Sequence, residues 1–310
     1  MLYLINIEDF FMRPILLIID GDALLHRIFH VQNESTMSQD GNYTGTINGS
    51  IFSIRKYINH WQAEYAVIAF DPFDKSTFRH KEYSDYKANR PPKDPSLVYQ
   101  KKPLMSILYN LGLTVVMNPN YEADDLVGSY AKKAWEEGFQ PVAMAVDKDL
   151  APFTDQGLIM CDPKTLKTYN ADGIRHRYKL DPSQINDYLA LLGDTVDNIP
   201  GIDGVGAKTA TELLTKYDNL DNIIRVAFEE NLQTKVWRNI RESAEKVQAF
   251  KKMMVIRDNV PDLKDIRMLN IRDPQYDQLI PKLEFLGLFD LLNEAKLEYD
   301  KLRYSRLTLS

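Results

Sequence analysis

Three stretches decide the fold: Pro14–Asp20, which reads PILLIID; Tyr65–Asp71, YAVIAFD; and Pro141–Asp147, PVAMAVD. Each is a short continuous apolar run closed by an aspartate. Runs of this kind suit strands buried on both faces, as in a parallel sheet covered by helices. Helical periodicity over Ile47–His60 and Ala123–Glu137 separates them. The alternation predicts an α/β fold with a mostly parallel central sheet and helices on both faces. The first strand is expected over Arg13–Asp20 and the third over Pro141–Val146.

In such a sheet the carboxyl ends of the strands share one edge, and ligands bind there. Asp20, Asp71 and Asp147 are expected at that edge. A single aspartate after a strand is ordinarily a turn former or helix cap. Further acids join these three. Glu122-Ala-Asp-Asp125 opens a helix, Asp147-Lys-Asp149 sits in one loop, and Gly193-Asp-Thr-Val-Asp197 spaces Asp194 and Asp197 three apart, on one face if helical.

The nine carboxylates are therefore Asp20, Asp71, Glu122, Asp124, Asp125, Asp147, Asp149, Asp194 and Asp197. If they converge, two like charges about 5 Å apart repel by about 3 kcal/mol at an effective dielectric of about 20. Several such pairs approach the stability of a whole domain. Hard divalent cations relieve the repulsion, and an all-oxygen donor set favours Mg²⁺ or Mn²⁺ over Zn²⁺. With one cysteine, Cys161, neither an internal disulfide nor a thiolate zinc cluster can form. Of the five histidines only His26 and His30 have ligand spacing, and that pair suits an ordinary helix face.

The formal charge is −6, but its distribution is uneven. Arg79–Lys102 carries seven Lys/Arg against three acids, interleaved with Tyr83, Tyr86 and Tyr99 and broken at Pro91-Pro92. Cations among aromatics suit single-stranded nucleic acid, because bases stack while cations follow phosphates. A solvated surface helix and loop would read the same way. Farther on, Asn198–Ala210 reads NIPGIDGVGAKTA before the amphipathic ATELLTKY. Gly204 and Gly206 before a helix let backbone N–H groups cradle a phosphate, with Lys208 behind them. This is the turn of a helix-hairpin-helix. A β-branched residue at 206 is expected to resist the positive φ the turn requires.

In this order, IIDGDALLHRIFH, AFDPFDKSTFRHKEYSDYKANRP, YEADDLVGSYAKKA, VDKDL and GDTVDNIPGIDGVGAKTATELL resemble the 5′-nuclease family. That family comprises flap endonucleases, phage 5′ exonucleases and the nuclease domain of bacterial family-A DNA polymerases. The likeness runs from about Pro14 to Leu297. It implies a PIN-like fold at residues 13–185 with a helical arch insertion at about 76–103. A helical DNA-binding subdomain would follow at 186–297, with the helix-hairpin-helix at about 198–215, and then a tail at 298–310. Residues 1–12 would be an N-terminal extension.

The resemblance also implies roles. Asp20, Asp71, Glu122, Asp124 and Asp125 would form a first metal site, and Asp147, Asp149, Asp194 and Asp197 a second, for two Mg²⁺ or Mn²⁺ ions. Arg79, Tyr86, Lys87 and Arg90 would line the arch, Lys87 and Arg90 reaching the scissile phosphate. Gly204, Gly206 and Lys208 would grip duplex, with K⁺ at that turn. Asp22 receives no role. The implied activity is cleavage of DNA at 5′ flaps, forks, nicks and 5′ ends by a cytoplasmic monomer of a bacterium or phage-infected host, beside a replicative polymerase and away from membranes. Two rival readings stay open: a fork-DNA binder with a decayed site, and a ribonuclease on a related acidic α/β fold.

Overall fold

The computed structural model describes residues 13–31, 36–74, 77–230 and 232–307. The expected extension at 1–12 lies outside them. By internal contacts the chain falls into two compact units. The first comprises residues 1–71, 92–117 and 263–310; the second, residues 72–91 and 118–262.

In the first unit the strand order is β3-β2-β1, all parallel: β1 is Ile15–Asp20, β2 Tyr65–Phe70 and β3 Thr114–Met117. Leu16–Ile19 and Ala66–Phe70 are fully buried, as runs covered on both faces must be. β1 begins at Ile15 rather than Arg13, and takes in Asp20 as its last residue. β3 escaped the sequence reading because its four residues, TVVM, are too short to stand out. Helices Gly21–Phe29, Gly45–Trp61 and Pro95–Asn110 contribute Leu24, Ile47, Ile51, Ile54, Leu104 and Ile107 to the core. Gly21 is required by packing: a Cβ there would stand 2.4 Å from the Phe70 ring. A final helix runs Phe289–Leu307, so the segment expected as a tail from 298 is helical as far as Leu307.

In the second unit the order is β4-β5-β6, with β4 Gln140–Ala143, β5 Ile159–Cys161 and β6 Thr168–Tyr169. β4 and β5 are parallel, β5 and β6 antiparallel. The expected strand Pro141–Val146 is cut short at Ala143, and Val146 is exposed. Asp147 therefore follows a three-residue link and caps the 3₁₀ helix Lys148–Gln156, accepting from the Asp149 N–H at 2.9 Å. Helix Ala123–Glu136 is opened by a capping box, Glu122 with Asp125, and its Gly128 lies against Phe153 and Ile256.

The arch segment is less helical than expected. Phe78–Glu82 is a five-residue helix, followed by turns to Asn89. Pro91 and Pro92 lack the N–H that would carry a helix onward. Five longer helices follow in this unit: Ala171–Tyr178, Ile185–Leu192, Ala207–Tyr217, Leu220–Glu229 and Lys235–Met254. The last four bury Leu214, Ile223, Ile240 and Val247 together with Asp187, which accepts the Leu220 N–H at 3.0 Å and pairs with Lys251.

Candidate metal and nucleic-acid site

The second unit contains a cavity of about 240 Å³ lined by Glu122, Asp124, Asp147, Asp149, Asp194 and Asp197, with Arg79, Tyr86, Lys87, Arg90 and Lys148. Six of the nine expected carboxylates thus share one cavity with all four expected arch residues. Chain geometry explains the approach of the last carboxylates. Asp194 and Asp197 do not share a helix face, as their spacing had suggested. Asp194 ends β7 (Gly193–Asp194), which pairs with β8 (Ile199–Pro200), and the intervening residues form a tight turn. Asp194 Oδ1 accepts from the N–H groups of Val196 and Asp197 at 2.8 and 3.3 Å, which closes the turn, and both residues line the cavity.

Internal cations occupy much of this acid. Lys148 donates to Asp194 at 2.7 Å, Lys87 to Glu122 at 2.8 Å, and Arg90 to Asp197 at 2.5 Å. Arg79 grips Asp125 with two bonds of 2.6 and 2.7 Å and reaches Glu122 at 3.2 Å. Among the described residues no three His, Cys, Asp or Glu side chains already stand as a ligand cluster. The reason is electrostatic: carboxylates without a metal repel one another and turn towards the nearest lysine or arginine.

Asp149 has no such relief. Its Oδ1 is buried and unpartnered. Burial, reinforced by Asp147, pushes its carboxyl up to about 7, with Lys148 pulling the other way. A buried carboxylate oxygen without a donor is costly. It fits a hard cation, and the all-oxygen lining supplies further donors. For Asp194, burial works against ionisation, but the bond from Lys148 prevails and holds it below the ordinary carboxylate value. Burial likewise opposes the charge of Lys148, and the same bond raises it. Lys148 was missed by sequence reasoning, although its place between two acids, Asp147-Lys-Asp149, was a visible signal.

Two of the four arch residues are more deeply enclosed than the other two. Arg79 is not a DNA-facing cation here: it is 3% exposed, and its Nε also donates to the Met253 carbonyl at 2.9 Å. Burial disfavours its charge, yet the Asp125 bond outweighs this and its pKa is raised. Tyr86 is 4% exposed and cannot stack a base in this conformation. Its hydroxyl donates to Glu122 at 2.9 Å and lies 3.3 Å from Asp197, and burial followed by those charges raises its pKa. Lys87 and Arg90 do line the cavity. Lys87 has φ of +55° and donates its N–H to the Asp197 carbonyl, which locks the turn onto the Thr195–Asn198 segment. Asn89 and Asn198 add side-chain bonds across the same junction. Burial opposes the Lys87 charge, but Glu122 raises its pKa overall.

Asp125 is fully buried and also accepts the Arg257 N–H at 2.8 Å, so its oxygens are spent on structure. This removes it as an exposed ligand in the present arrangement. At the helix-hairpin-helix turn, Gly204 has φ of +79°, whereas Gly206 has φ of −93° and caps helix Ala207–Tyr217. The positive φ expected at 206 belongs to 204. Lys208 is 90% exposed.

In the first unit, Asp20 caps helix Gly21–Phe29 through the Ala23 N–H at 2.9 Å. Burial, then the Asp71 charge, pushes its carboxyl up to about 7. Asp71 follows β2, and its backbone is held by Asp22 and Lys101.

Comparison with known proteins places these features in a family. One model, described as 5′-3′ exonuclease, N-terminal resolvase-like domain, matches residues 15–179. A second, 5′-3′ exonuclease, C-terminal SAM fold, matches residues 180–277. A 5′-3′ exonuclease of Aquifex aeolicus is 32% identical over 90% of this chain and 94% of its own. DNA polymerase I of Pseudomonas aeruginosa is 33% identical over 91% of this chain, which spans 32% of that protein. Bacteriophage T5 5′-exonuclease, in a structure with divalent metal ions (zinc), superposes with a TM-score of 0.67 at 18% identity, covering 92% of this chain and 97% of that one. The catalytic core of Rad2 in complex with a DNA substrate superposes with a TM-score of 0.57 at 15% identity, covering 91% and 90%. Models that meet at residue 180 and a 32% identical relative of nearly equal length leave one conclusion: the chain belongs to the 5′-3′ exonuclease family.

Proposed function

We propose that this chain is a divalent-metal-dependent, structure-specific 5′ nuclease that hydrolyses DNA phosphodiesters at 5′ flaps, junctions and 5′ ends. The observation that carries the proposal is the cavity itself. It gathers six carboxylates, one with an orphaned buried oxygen, beside two cations that can leave their acid partners for phosphate.

Asp124, Asp147, Asp149, Asp194 and Asp197 would hold metal in the second unit, with Glu122 once Lys87 releases it. Asp20 and Asp71 would act as metal ligands in the first. Mg²⁺ or Mn²⁺ suits these oxygen donors. When bound, two ions supply Lewis acidity at the scissile phosphate and neutralise charge on the attacking and leaving oxygens.

The remaining steps belong to the chain. Lys87 and Arg90 exchange their carboxylates for the non-bridging oxygens of the scissile phosphate. Each donates where negative charge grows in the transition state. Tyr86 keeps the Glu122 and Asp197 carboxylates aligned through its hydroxyl. Arg79 holds the base of the site rigid. Gly204 and the N–H groups opening helix Ala207–Tyr217 contact duplex phosphates without reading sequence, with Lys208 adding charge. K⁺ at that turn belongs to the same proposal. So do a polymerase working on the same DNA and a monomer acting in the cytoplasm.

The deciding assay is cleavage of a 5′-labelled DNA flap with Mg²⁺ and with EDTA, beside the same flap in RNA. Mg²⁺-dependent cutting of DNA near the junction is expected, and Asp147→Asn should abolish it while leaving flap binding intact. Binding without cutting would mean a fork binder. Preference for RNA would mean a ribonuclease.

A further inference from the structure

The metal reading leaves unused a buried ion pair in the first unit. Lys101, from helix Pro95–Asn110, is 8% exposed at its side chain. Its Nζ donates to both oxygens of Asp22, at 2.9 and 2.7 Å, and to the backbone carbonyl of Asp71 at 2.8 Å. Asp22 Oδ2 accepts the backbone N–H of Asp71 at 2.9 Å. Both polar groups of the Asp71 backbone are thus held in a ring closed by two side chains that cancel each other's charge.

A buried ion pair is a poor way to fill space, because an apolar pair of similar volume usually does as well or better. One apolar neighbour is Phe70, which immediately precedes Asp71, with its ring under Gly21 and 5.7 Å from Lys101 Nζ. The pair is useful here because hydrogen bonds from it fix a peptide whose own side chain is a carboxylate. Groups that orient metal ligands from behind have large effects on affinity and rate.

We infer that Asp22 and Lys101 are positioning residues that set the direction of the Asp71 carboxylate for a divalent cation. The inference rests on Asp71 being a metal ligand. Lys93 lies 3.6 Å from Asp22, so Asp22 is approached by lysines before and within the same helix. The helix after the basic arch segment is thereby tied to the end of β2.

Two double variants and one control test this. Asp22→Ala with Lys101→Met removes both holds on the Asp71 backbone and leaves no buried charge. Asp22→Asn with Lys101→Gln removes the charges but keeps an acceptor for the Asp71 N–H and a donor for its carbonyl. Asp71→Asn is the control. Mn²⁺ binding is read by electron paramagnetic resonance without DNA. Single-turnover cleavage of a DNA flap is read against Mg²⁺ concentration, and thermal melting reports folding.

The apolar pair should weaken Mn²⁺ binding by about 10-fold and lower the rate at saturating Mg²⁺ by about 10-fold, with DNA affinity unchanged within about twofold. The Asn/Gln pair should recover Mn²⁺ binding to within about threefold of wild type. Wild-type Mn²⁺ binding and rate in the apolar pair overturns the inference. So does an Asn/Gln pair that is as impaired as the apolar one, which would make charge the cause; should the apolar pair fail to fold, this variant alone decides. Unchanged Mn²⁺ binding in Asp71→Asn would instead sink the metal-ligand reading beneath it.

Discussion

Replacing Arg79 by methionine separates a buried structural cation from a DNA-facing one. Methionine keeps most of the volume and removes every hydrogen bond. In the structure Arg79 makes two bonds to Asp125, one to Glu122, and others to the Met253 and Val255 carbonyls. Removing one partner of a buried ion pair costs about 3–5 kcal/mol, because the other charge is left behind. Asp125 keeps the Glu122 and Arg257 N–H groups, so the lower end, about 3 kcal/mol, is expected. For a unit of this size that corresponds to a fall in melting temperature of about 6–12 °C. Asp125→Asn in the Arg79→Met background should recover part of the loss, since the uncompensated charge is gone and the amide oxygen still accepts one of the two N–H groups. Urea and thermal unfolding of the three proteins measure both effects. Below the transition, Arg79→Met should bind a DNA flap within about threefold of wild type. A variant that melts like wild type but binds DNA much more weakly would refute the buried role and restore Arg79 to the DNA surface.

Lys87→Ala should lower single-turnover flap cleavage by about 10²–10³-fold with little change in duplex binding, on the scale of a lost transition-state donor; full recovery with extra Mg²⁺ would show that Lys87 acts through metal binding instead. The metal-free protein should lose stability as pH rises. Asp20 and Asp149 have folded values of about 7 against an ordinary 3.8, so their stabilising protonated forms are fully present below about pH 4 and lost as pH passes about 7. The cost at pH 8 is at most about 4 kcal/mol per carboxyl. Melting curves in EDTA from pH 5.5 to 8.5 should slope downward and flatten with Mg²⁺, whereas a slope that ignores Mg²⁺ would count against metal at these groups. Gly204→Val should lose about 1–2 kcal/mol, because φ of +79° strains a β-branched residue even where the Cβ meets nothing closer than 3.9 Å. Gly206→Ala, in extended backbone with open space, should cost no more than a few tenths of a kcal/mol; equal losses at the two positions would contradict the assigned turn geometry.

Strands buried on both faces are the most legible elements of a sequence, and β2 was read to the residue because YAVIAF has no polar interruption. β4 was overread. The apolar run PVAMAV continues past the point where the backbone leaves the sheet, and hydropathy does not mark that point. β3 and β5 are too short for any pattern. For the site, the residue types were legible but their partners were not. Nothing in the spacing of Arg79 and Asp125, 46 residues apart, shows that they meet with both guanidinium prongs. A lysine or arginine in a basic run reads as a nucleic-acid contact whether it faces solvent or core. Only packing decides, and here it buried Arg79 and Tyr86 in the cavity wall while leaving Lys87 and Arg90 more open. The glycine turn failed in the same way: the motif named both glycines, but φ is fixed by the turn's path and fell positive at Gly204 alone.

The internal pairs also bear on how an acidic cavity of this size can fold before any metal arrives. Glu122, Asp194 and Asp197 each hold a lysine or arginine, so half of the six cavity carboxylates are neutralised within the unit. Lys87 and Arg90 line the cavity on a turn that is itself tied to Asp197 and its neighbours. A phosphate entering there would compete with carboxylates for the same two cations. Each cation it wins would free a carboxylate, and a freed carboxylate raises the local affinity for a divalent ion. Substrate and metal would then strengthen each other's binding by exchanging partners around Lys87 and Arg90. This coupling must be reciprocal, whichever arrives first. Asp149, whose buried Oδ1 has no hydrogen-bond partner, would mark where the first ion is favoured without any exchange.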